Sequence, residues 1–183
     1  MQHIEHLPHR LNTAKKECRA IIETPKGRRN KFKYDPESCL FTLSRVLPEG
    51  FTFPFDFGFI PSTLAEDGDA LDAVVLMDEP AHVGCLLTVR LIGAILVEQT
   101  ENGKKTQNHR LVSVPLKTFD YRDVHTLDDL NGPLVEQLTE FLALYNKNSG
   151  KQDEILGVEG AERAVQMVQD SSERFRKKND KGD

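Results

Sequence analysis

Four acidic residues fall within seven positions near the middle of the chain: Glu66, Asp67, Asp69 and Asp72. Carboxylates this close repel one another, weakly where water screens them and strongly in a pocket unless a cation neutralises them. Mg²⁺ takes oxygen ligands, usually one or two carboxylates together with waters and substrate phosphates. Because Asp-Gly pairs are also turn signals, the segment is either a solvated acidic turn or a Mg²⁺ site.

Three motifs that would assign this segment or the chain to another chemistry are absent. An EF-hand loop begins D-x-[DN]-x-[DN]-G, but Leu71 stands at the third ligand position and Asp72 at the glycine. The chain contains neither the G-x-x-x-x-G-K-[ST] of a P-loop nor the G-x-S-x-G of an α/β-hydrolase. The sequence therefore disfavours a calcium-sensor loop, a P-loop NTPase and an α/β-hydrolase.

Length and composition predict one soluble domain that spans residues 1–183. Hydrophobic residues make up 38% of the chain and charged residues 29%, as in globular proteins, and the net charge of -5 disfavours nucleic-acid binding. Cys18, Cys39 and Cys85 are widely spaced, which indicates reduced thiols in a cytoplasmic protein and no zinc site. No run approaches the ~18 apolar residues of a membrane span, so no membrane association is expected.

Short apolar runs separated by turn residues occupy the first two thirds of the chain, which predicts strands. The predicted strands cover 18–23, 31–35, 40–45, 73–77, 84–97 and 110–114. The second and third of these are expected to form a hairpin, and the phenylalanine-rich residues 51–60 an irregular strand. Gly93 predicts a bulge or a barrel bend, and the polar residues 98–109, with Asn102-Gly103, a loop.

The last third of the chain changes to helical spacing. One helix is predicted to begin near Asp128-Asp129 and to end at 148–150, and a second to begin at about Glu159. The apolar positions of the first helix are Leu134, Leu138, Phe141, Leu142 and Tyr145. Strands followed by helices predict an α+β fold, in which helices pack on an antiparallel sheet or small barrel.

Both ends of the chain are predicted to be polar extensions, an N-terminal arm at 1–16 and a flexible tail at 174–183. His3, His6 and His9 recur at every third position of the arm, which suggests a metal site. Pro8 interrupts the helix that would align them, so a polar arm is the favoured interpretation.

The acidic segment resembles the signature of the family I soluble inorganic pyrophosphatases, Asp-x-Asp-Pro-x-Asp, with Ala70 in place of the proline. Further segments are similar to that family in the same order. They are I-I-E-T-P at 21–25, N-K-F-K-Y-D at 30–35, Arg45, F-G-F-I-P at 57–61, R-L-V-S-V-P at 110–115 and the helix of Tyr145. The resemblance covers residues 18–170 and implies an OB-like five-stranded β-barrel with flanking α-helices.

The resemblance also implies Mg²⁺-dependent hydrolysis of inorganic diphosphate by a metal-activated water. Asp69 matches the residue that takes the proton from this water. The positions that match metal ligands are Asp67, Asp72, Glu23, Glu101 and Asn108, and those that match phosphate-binding residues are Lys31, Arg45, Arg110 and Tyr145. Family members form dimers or hexamers, so a homo-oligomer is expected.

Several positions depart from the family pattern and make the expected site about two charge units more positive. Lys33 replaces a glutamate, Asn108 an aspartate, Phe57 a tyrosine and Asn146 a lysine, with Lys147 adjacent to it. Fewer carboxylates predict weaker Mg²⁺ binding and reduced activity. Two alternatives therefore stay open: a hydrolase of another phosphoanhydride or organic phosphate, and a catalytically impaired protein that binds an anion or a partner.

Overall fold

Nine strands and two α-helices make up the regular structure of residues 3–147 and 150–180, the part of the chain that the computed structural model describes. The strands are β1 (Glu17–Thr24), β2 (Asn30–Asp35), β3 (Leu40–Val46), β4 (Asp56–Ile60), β5 (Leu71–Val75), β6 (Leu86–Glu101), β7 (Lys104–Gln107), β8 (Arg110–Pro115) and β9 (Lys151–Gly160). The helices are α1 (Gly132–Tyr145) and α2 (Ala161–Asn179).

Five of these strands close into a ring in the order β1-β4-β5-β8-β6, with β6 pairing β1 again. All pairs are antiparallel except β5 with β8. The ring is less regular than a symmetric barrel, but it confirms the predicted α+β fold with an OB-like five-stranded core. The hairpin of β2 and β3 stands apart as a separate two-stranded sheet, as predicted.

Strand β6 joins most of the sheet because its 16 residues pair successively with different neighbours. Its first part pairs with β1, its centre with β8, its second half from Gly93 onward with β9, and its far end also with β7. The register with β8 shifts between Leu91 and Gly93, which confirms the predicted bulge. A Cβ at Gly93 would lie 2.6 Å from the carbonyl oxygen of Glu159, so only glycine permits this close packing of strands.

Two large apolar clusters cover the ring and hold the helices. Helix α1 packs Leu138, Phe141 and Leu142 against phenylalanines of the segment 53–57. Helix α2 packs Ala164 and Val168 against residues of β1, β5 and β6. Burial of these side chains, at about 25 cal/mol per Å² of apolar area, is the main force that fixes the helices on the strands.

Three sequence predictions of secondary structure need correction. Most of residues 98–109 form no loop: β6 and β7 make a hairpin through Asn102-Gly103, whose φ values of 51° and 76° suit a two-residue turn, and 108–109 connect β7 to β8. Strand β9 was missed, and α2 begins at Ala161. The predicted helix start at Asp128-Asp129 is a 3₁₀ turn, and α1 begins after the cap Asn131, which accepts from the backbone N–H of Leu134.

The two polar extensions pack against the domain. In the N-terminal arm, Ile4 and Leu7 contact the cluster of Ile21, Tyr34 and Phe59. Helix α2 continues through Asn179, beyond the position 174 where a flexible tail was predicted. The predicted end of the first helix at 148–150 and the last residues of the tail, 181–183, fall partly or wholly outside the described residues.

No helix in the described part of the chain combines the length and the apolar character that a membrane crossing requires.

Candidate active site

One cavity of about 910 Å³ brings together all ten of the site residues predicted from the sequence. They come from six separate parts of the chain: the end of β1, the β2–β3 hairpin, the acidic segment, the β6–β7 hairpin, the start of β8 and the end of α1. The members are Glu23, Lys31, Arg45, Asp67, Asp69, Asp72, Glu101, Asn108, Arg110 and Tyr145. Residues up to 122 positions apart in sequence, from 23 to 145, therefore share one cleft.

The acidic segment is a tight turn that points carboxylates into this cavity. The backbone N–H of Asp69 donates to Oδ1 of Asp67 at 3.1 Å, and that of Ala65 donates to the carbonyl of Asp69 at 2.7 Å. Gly68, at φ 92°, supplies the left-handed conformation that the turn requires. Asp72 follows within β5, so the turn and the strand together fix the three aspartates.

Asp72 is paired with a fully enclosed cation. The Nη1 atom of Arg110 lies 3.1 Å from Oδ2 of Asp72, and the Arg110 side chain is 2% exposed. The same nitrogen donates to the backbone carbonyl of Asn108 and to its Oδ1 atom. The oxygen of Asn108, which was predicted to stand near a metal ion, is therefore held by Arg110.

Asp69 is paired with a cation from the β2–β3 hairpin. The Nζ atom of Lys33 lies 2.7 Å from Oδ2 of Asp69. Burial of the ammonium opposes its charge, but the hydrogen bond and the charge of Asp69 raise the pKa of Lys33. The lysine that replaces the expected glutamate therefore contacts the residue that was predicted to accept a proton.

Glu23 and Asp67 have unfavourable surroundings for a negative charge. Burial raises the pKa of Glu23 to about 7, and the charge of Asp72 adds to this effect, although the backbone N–H of Tyr34 donates to Glu23 at 2.9 Å. Burial also raises the pKa of Asp67, with the charges of Asp72 and Asp69 contributing. Both groups would gain from a cation placed between them and their neighbours.

Another part of the cavity wall is cationic and is built around Tyr145. Its hydroxyl accepts a hydrogen bond from Nζ of Lys31 at 2.9 Å, and the guanidinium of Arg45 lies 4.7 Å from the ring centre. Burial opposes ionisation of the phenol, but the charges of Lys31 and Arg110 lower the pKa of Tyr145. This wall offers several donors to an anion.

Strand β9 contributes residues that the sequence interpretation missed. Asp153 accepts from Asn146 at 2.6 Å and from Gln99 at 2.7 Å, and Asn146 in turn accepts from Arg45 at 3.1 Å. Lys151 lies 3.0 Å from Glu101. The alternating pattern of burial in β9 places Lys151 and Asp153 on one face, but the sequence itself shows no matching alternation of polar and apolar residues there.

The donor set suits a hard divalent cation, although side-chain cations already contact much of it. Among residues 3–147 and 150–180, no group of three or more His, Cys, Asp or Glu side chains is arranged to hold a metal ion. Asp69, Asp72 and Glu101 each pair with a lysine or an arginine. Within the same described residues, Glu23 and Asp67 form no salt bridge, and their oxygens match the ligand preference of Mg²⁺.

The ring and the cavity define a small OB-like α+β protein in which carboxylates and side-chain cations line one cavity. A family model described as inorganic pyrophosphatase matches residues 20–176. The chain therefore belongs to the inorganic pyrophosphatase family, which confirms the resemblance of the acidic segment.

Known relatives support this assignment over most of their length. An inorganic pyrophosphatase from Synechocystis is 35% identical over 156 residues, which cover 85% of this chain and 90% of the relative. One from Methanosarcina acetivorans is 35% identical over 159 residues, with coverage of 87% and 92%. The crystal structure of the inorganic pyrophosphatase from Thermus thermophilus superposes with a TM-score of 0.87 at 30% identity and covers 96% of this chain and 99% of that one.

Proposed function

We propose that this protein hydrolyses inorganic diphosphate to two phosphates with the help of Mg²⁺. The observation that carries the proposal is the shared cavity: carboxylates of the acidic segment line the same cleft as Lys31, Arg45 and Tyr145. A highly charged anion needs cations and hydrogen-bond donors around its oxygens, and a water that attacks it needs a base. Both kinds of group line the same space.

In this proposal Glu23, Asp67 and Asp72 hold the metal ion. The raised pKa of the first two supports this role, because each carboxylate would be stabilised by a nearby divalent charge. The chemistry that Mg²⁺ supplies when bound is neutralisation of phosphate charge and a lowered pKa of its water. Glu101 and Asn108 stay predicted ligands, and Glu101 would first have to leave Lys151.

Asp69 accepts the proton of the attacking water, and the cationic wall holds the substrate. Asp69 is well exposed to the cavity at its place in the turn, so a water can reach its free oxygen. Lys31, Arg45 and Arg110 bind the phosphate oxygens in the proposal, and the hydroxyl of Tyr145 orients Lys31. Arg110 is enclosed and paired with Asp72, so it would contact a phosphate only after its guanidinium becomes accessible from the cavity.

Phosphate release from Mg²⁺-diphosphate tests the proposal. We expect Asp69→Asn to lower the rate by about 10²- to 10⁴-fold, the range typical of a lost general base. Asp123→Asn, which changes a carboxylate that is almost fully exposed and lies outside the cavity, is the matched control. A native protein that releases phosphate no faster than the Asp69→Asn variant would instead be a pyrophosphatase-like binding protein.

A second candidate, hydrolysis of a larger phosphoanhydride, is favoured by the size of the cavity. Pockets of roughly 300–1,000 Å³ accommodate drug-sized ligands, and this cavity of about 910 Å³ extends to His6 of the arm and Phe175 of α2. Tripolyphosphate and a nucleoside triphosphate, assayed beside diphosphate, distinguish the two candidates. A higher kcat/KM for either larger substrate would favour the second.

Two further predictions accompany the proposed activity. Assembly into a homo-oligomer stays an expectation from the family. A cytoplasmic location is proposed from the cysteine pattern, in keeping with Cys18, Cys39 and Cys85, which are all free thiols.

A further inference from the structure

Lys33 stands at the carboxylate wall of the cavity, on the side where a metal ion would be expected. It belongs to β2, and its ammonium reaches across to the acidic turn, 2.7 Å from Oδ2 of Asp69. The side chain is 47% exposed, so the ammonium stays at this position because of charge rather than because of enclosure. The hairpin thus places a side-chain cation on the acidic turn.

The charge around Lys33 comes from three carboxylates on different elements. Burial opposes the charge of the ammonium, but the charges of Asp69 in the turn, Glu23 in β1 and Asp72 in β5 each raise the pKa of Lys33. A divalent ion held by Glu23, Asp67 and Asp72 would share two of these carboxylates, Glu23 and Asp72, with the ammonium. Like charges that share such a site repel one another, by an amount that solvent screening reduces but does not abolish.

We propose that Lys33 is a built-in cation of the site, which replaces part of the charge of the divalent metal ions and lowers the affinity of the metal-free protein for them. The inference rests on the proposed function, because it places the metal ion beside the acidic turn. The ammonium also adds to the donors available to an anion, so the protein would bind diphosphate even without metal. Lys33 therefore has opposite effects on the two ligands.

This opposition separates an electrostatic role from a structural one. Removing the charge of Lys33 should tighten Mg²⁺ binding and weaken metal-free diphosphate binding. A variant that merely distorts the cavity would weaken both. Lys33→Arg keeps the charge, and we expect it to bind both ligands as the native protein does.

The experiment is calorimetric titration of the metal-free full-length protein, with Mg²⁺ alone and, separately, with diphosphate in the presence of a chelator. In Lys33→Gln we expect the Kd for Mg²⁺ to fall about 5-fold and the Kd for diphosphate to rise about 5-fold. The changes are modest because one charge is removed and solvent partly screens it. Lys33→Glu should extend both changes. Circular dichroism of each variant verifies that it is folded.

Lys105→Gln is the matched control. Lys105 also pairs with a carboxylate, that of Glu98 at 2.5 Å, but it lies outside the cavity. Equal Kd values for Lys33→Gln and Lys105→Gln would overturn the inference, as would a lack of Mg²⁺ binding in the native protein and in every Lys33 variant. These titrations measure no turnover. If the Lys33 variants show the predicted shifts in Kd but the native protein fails to hydrolyse diphosphate, the proposed function alone is refuted.

Discussion

The guanidinium of Arg110 lies 3.1 Å from the carboxylate of Asp72 and is almost completely enclosed by protein. It joins the start of β8 to the neighbouring strand β5 at the floor of the cavity. The same group holds both oxygens of Asn108, from the backbone and from the side chain. This one cation therefore connects Asp72 of β5 to Asn108, which precedes β8.

Arg110→Ala is expected to destabilise the protein by about 3 kcal/mol, because it leaves Asp72 and two carbonyl oxygens without their partner. This corresponds to a fall in Tm of roughly 6–12 °C for a chain of this size. Thermal unfolding followed by circular dichroism measures the change. Arg122→Ala removes an arginine from an exposed ion pair with Asp123 and should alter Tm by no more than about 2 °C. Equal effects of the two substitutions would contradict the structural role of Arg110.

Tyr145→Phe should raise the KM for diphosphate about 5- to 10-fold while leaving the fold intact. The substitution removes the hydroxyl that accepts from Lys31 but keeps the ring that packs between Phe141 and Arg45. A hydrogen bond to a charged group contributes about 1.5–3 kcal/mol. In the variant, the ammonium of Lys31 would recover part of this free energy because its flexible side chain can contact other groups. Steady-state kinetics give the KM, and Tyr121→Phe, outside the cavity, is the control. An unchanged KM would show that Lys31 needs no support from Tyr145.

Gly58→Ala is expected to disrupt the ring, with a fall in Tm above about 10 °C or loss of soluble protein. Gly58 pairs with Ile22 across β1 and β4, and a Cβ at this position would overlap the carbonyl group of Ile21, with its carbon only 2.8 Å away. Both contacts are backbone, so no side chain can move aside.

Gly132→Ala is the matched control for this substitution. The added Cβ would meet no atom within 4 Å, and the residue begins α1, where alanine is the better helix former. We expect Tm to stay level or to rise slightly. A similar loss of Tm in both variants would show that the close approach of Gly58 to β1 is not the cause.

His9 is expected to make the anchoring of the N-terminal arm sensitive to acid. Burial and the charge of Arg176 lower the pKa of His9, whose Nδ1 accepts from the backbone N–H of Leu11 and whose Nε2 contacts Ser172. The folded protein thus binds fewer protons than the unfolded chain in this range. The contribution to stability is complete above the unfolded pKa of about 6.5 and is lost as the pH falls towards the lower folded value.

His9→Gln removes this titration and tests the expectation. The Tm of the native protein should fall more steeply than that of His9→Gln between about pH 7.5 and pH 5.5. His82→Gln changes an exposed histidine and should follow the native curve. Parallel curves for the native protein and His9→Gln would show that the arm does not depend on neutral His9.

Local sequence patterns predicted much of the fold because their causes are local. Alternating apolar residues produced the β2–β3 hairpin, and the glycine within the long β6 run produced its bulge. Strand β9 was missed because its polar residues, such as Lys151 and Asp153, match a loop until β6 supplies the other half of the hydrogen bonds. The polar residues 98–107 likewise form a hairpin because the end of β6 pairs with β7.

The amino-acid sequence by itself determined the acidic turn, the family and ten of the residues that line the cavity. The tertiary structure decided which charges meet: Lys33 with Asp69, Arg110 with Asp72 and Lys151 with Glu101. These pairs join residues that are far apart along the chain, and their distances follow from how the strands close into a ring. The strength of a charge interaction depends on such distances and on burial, neither of which a residue's place in the sequence specifies.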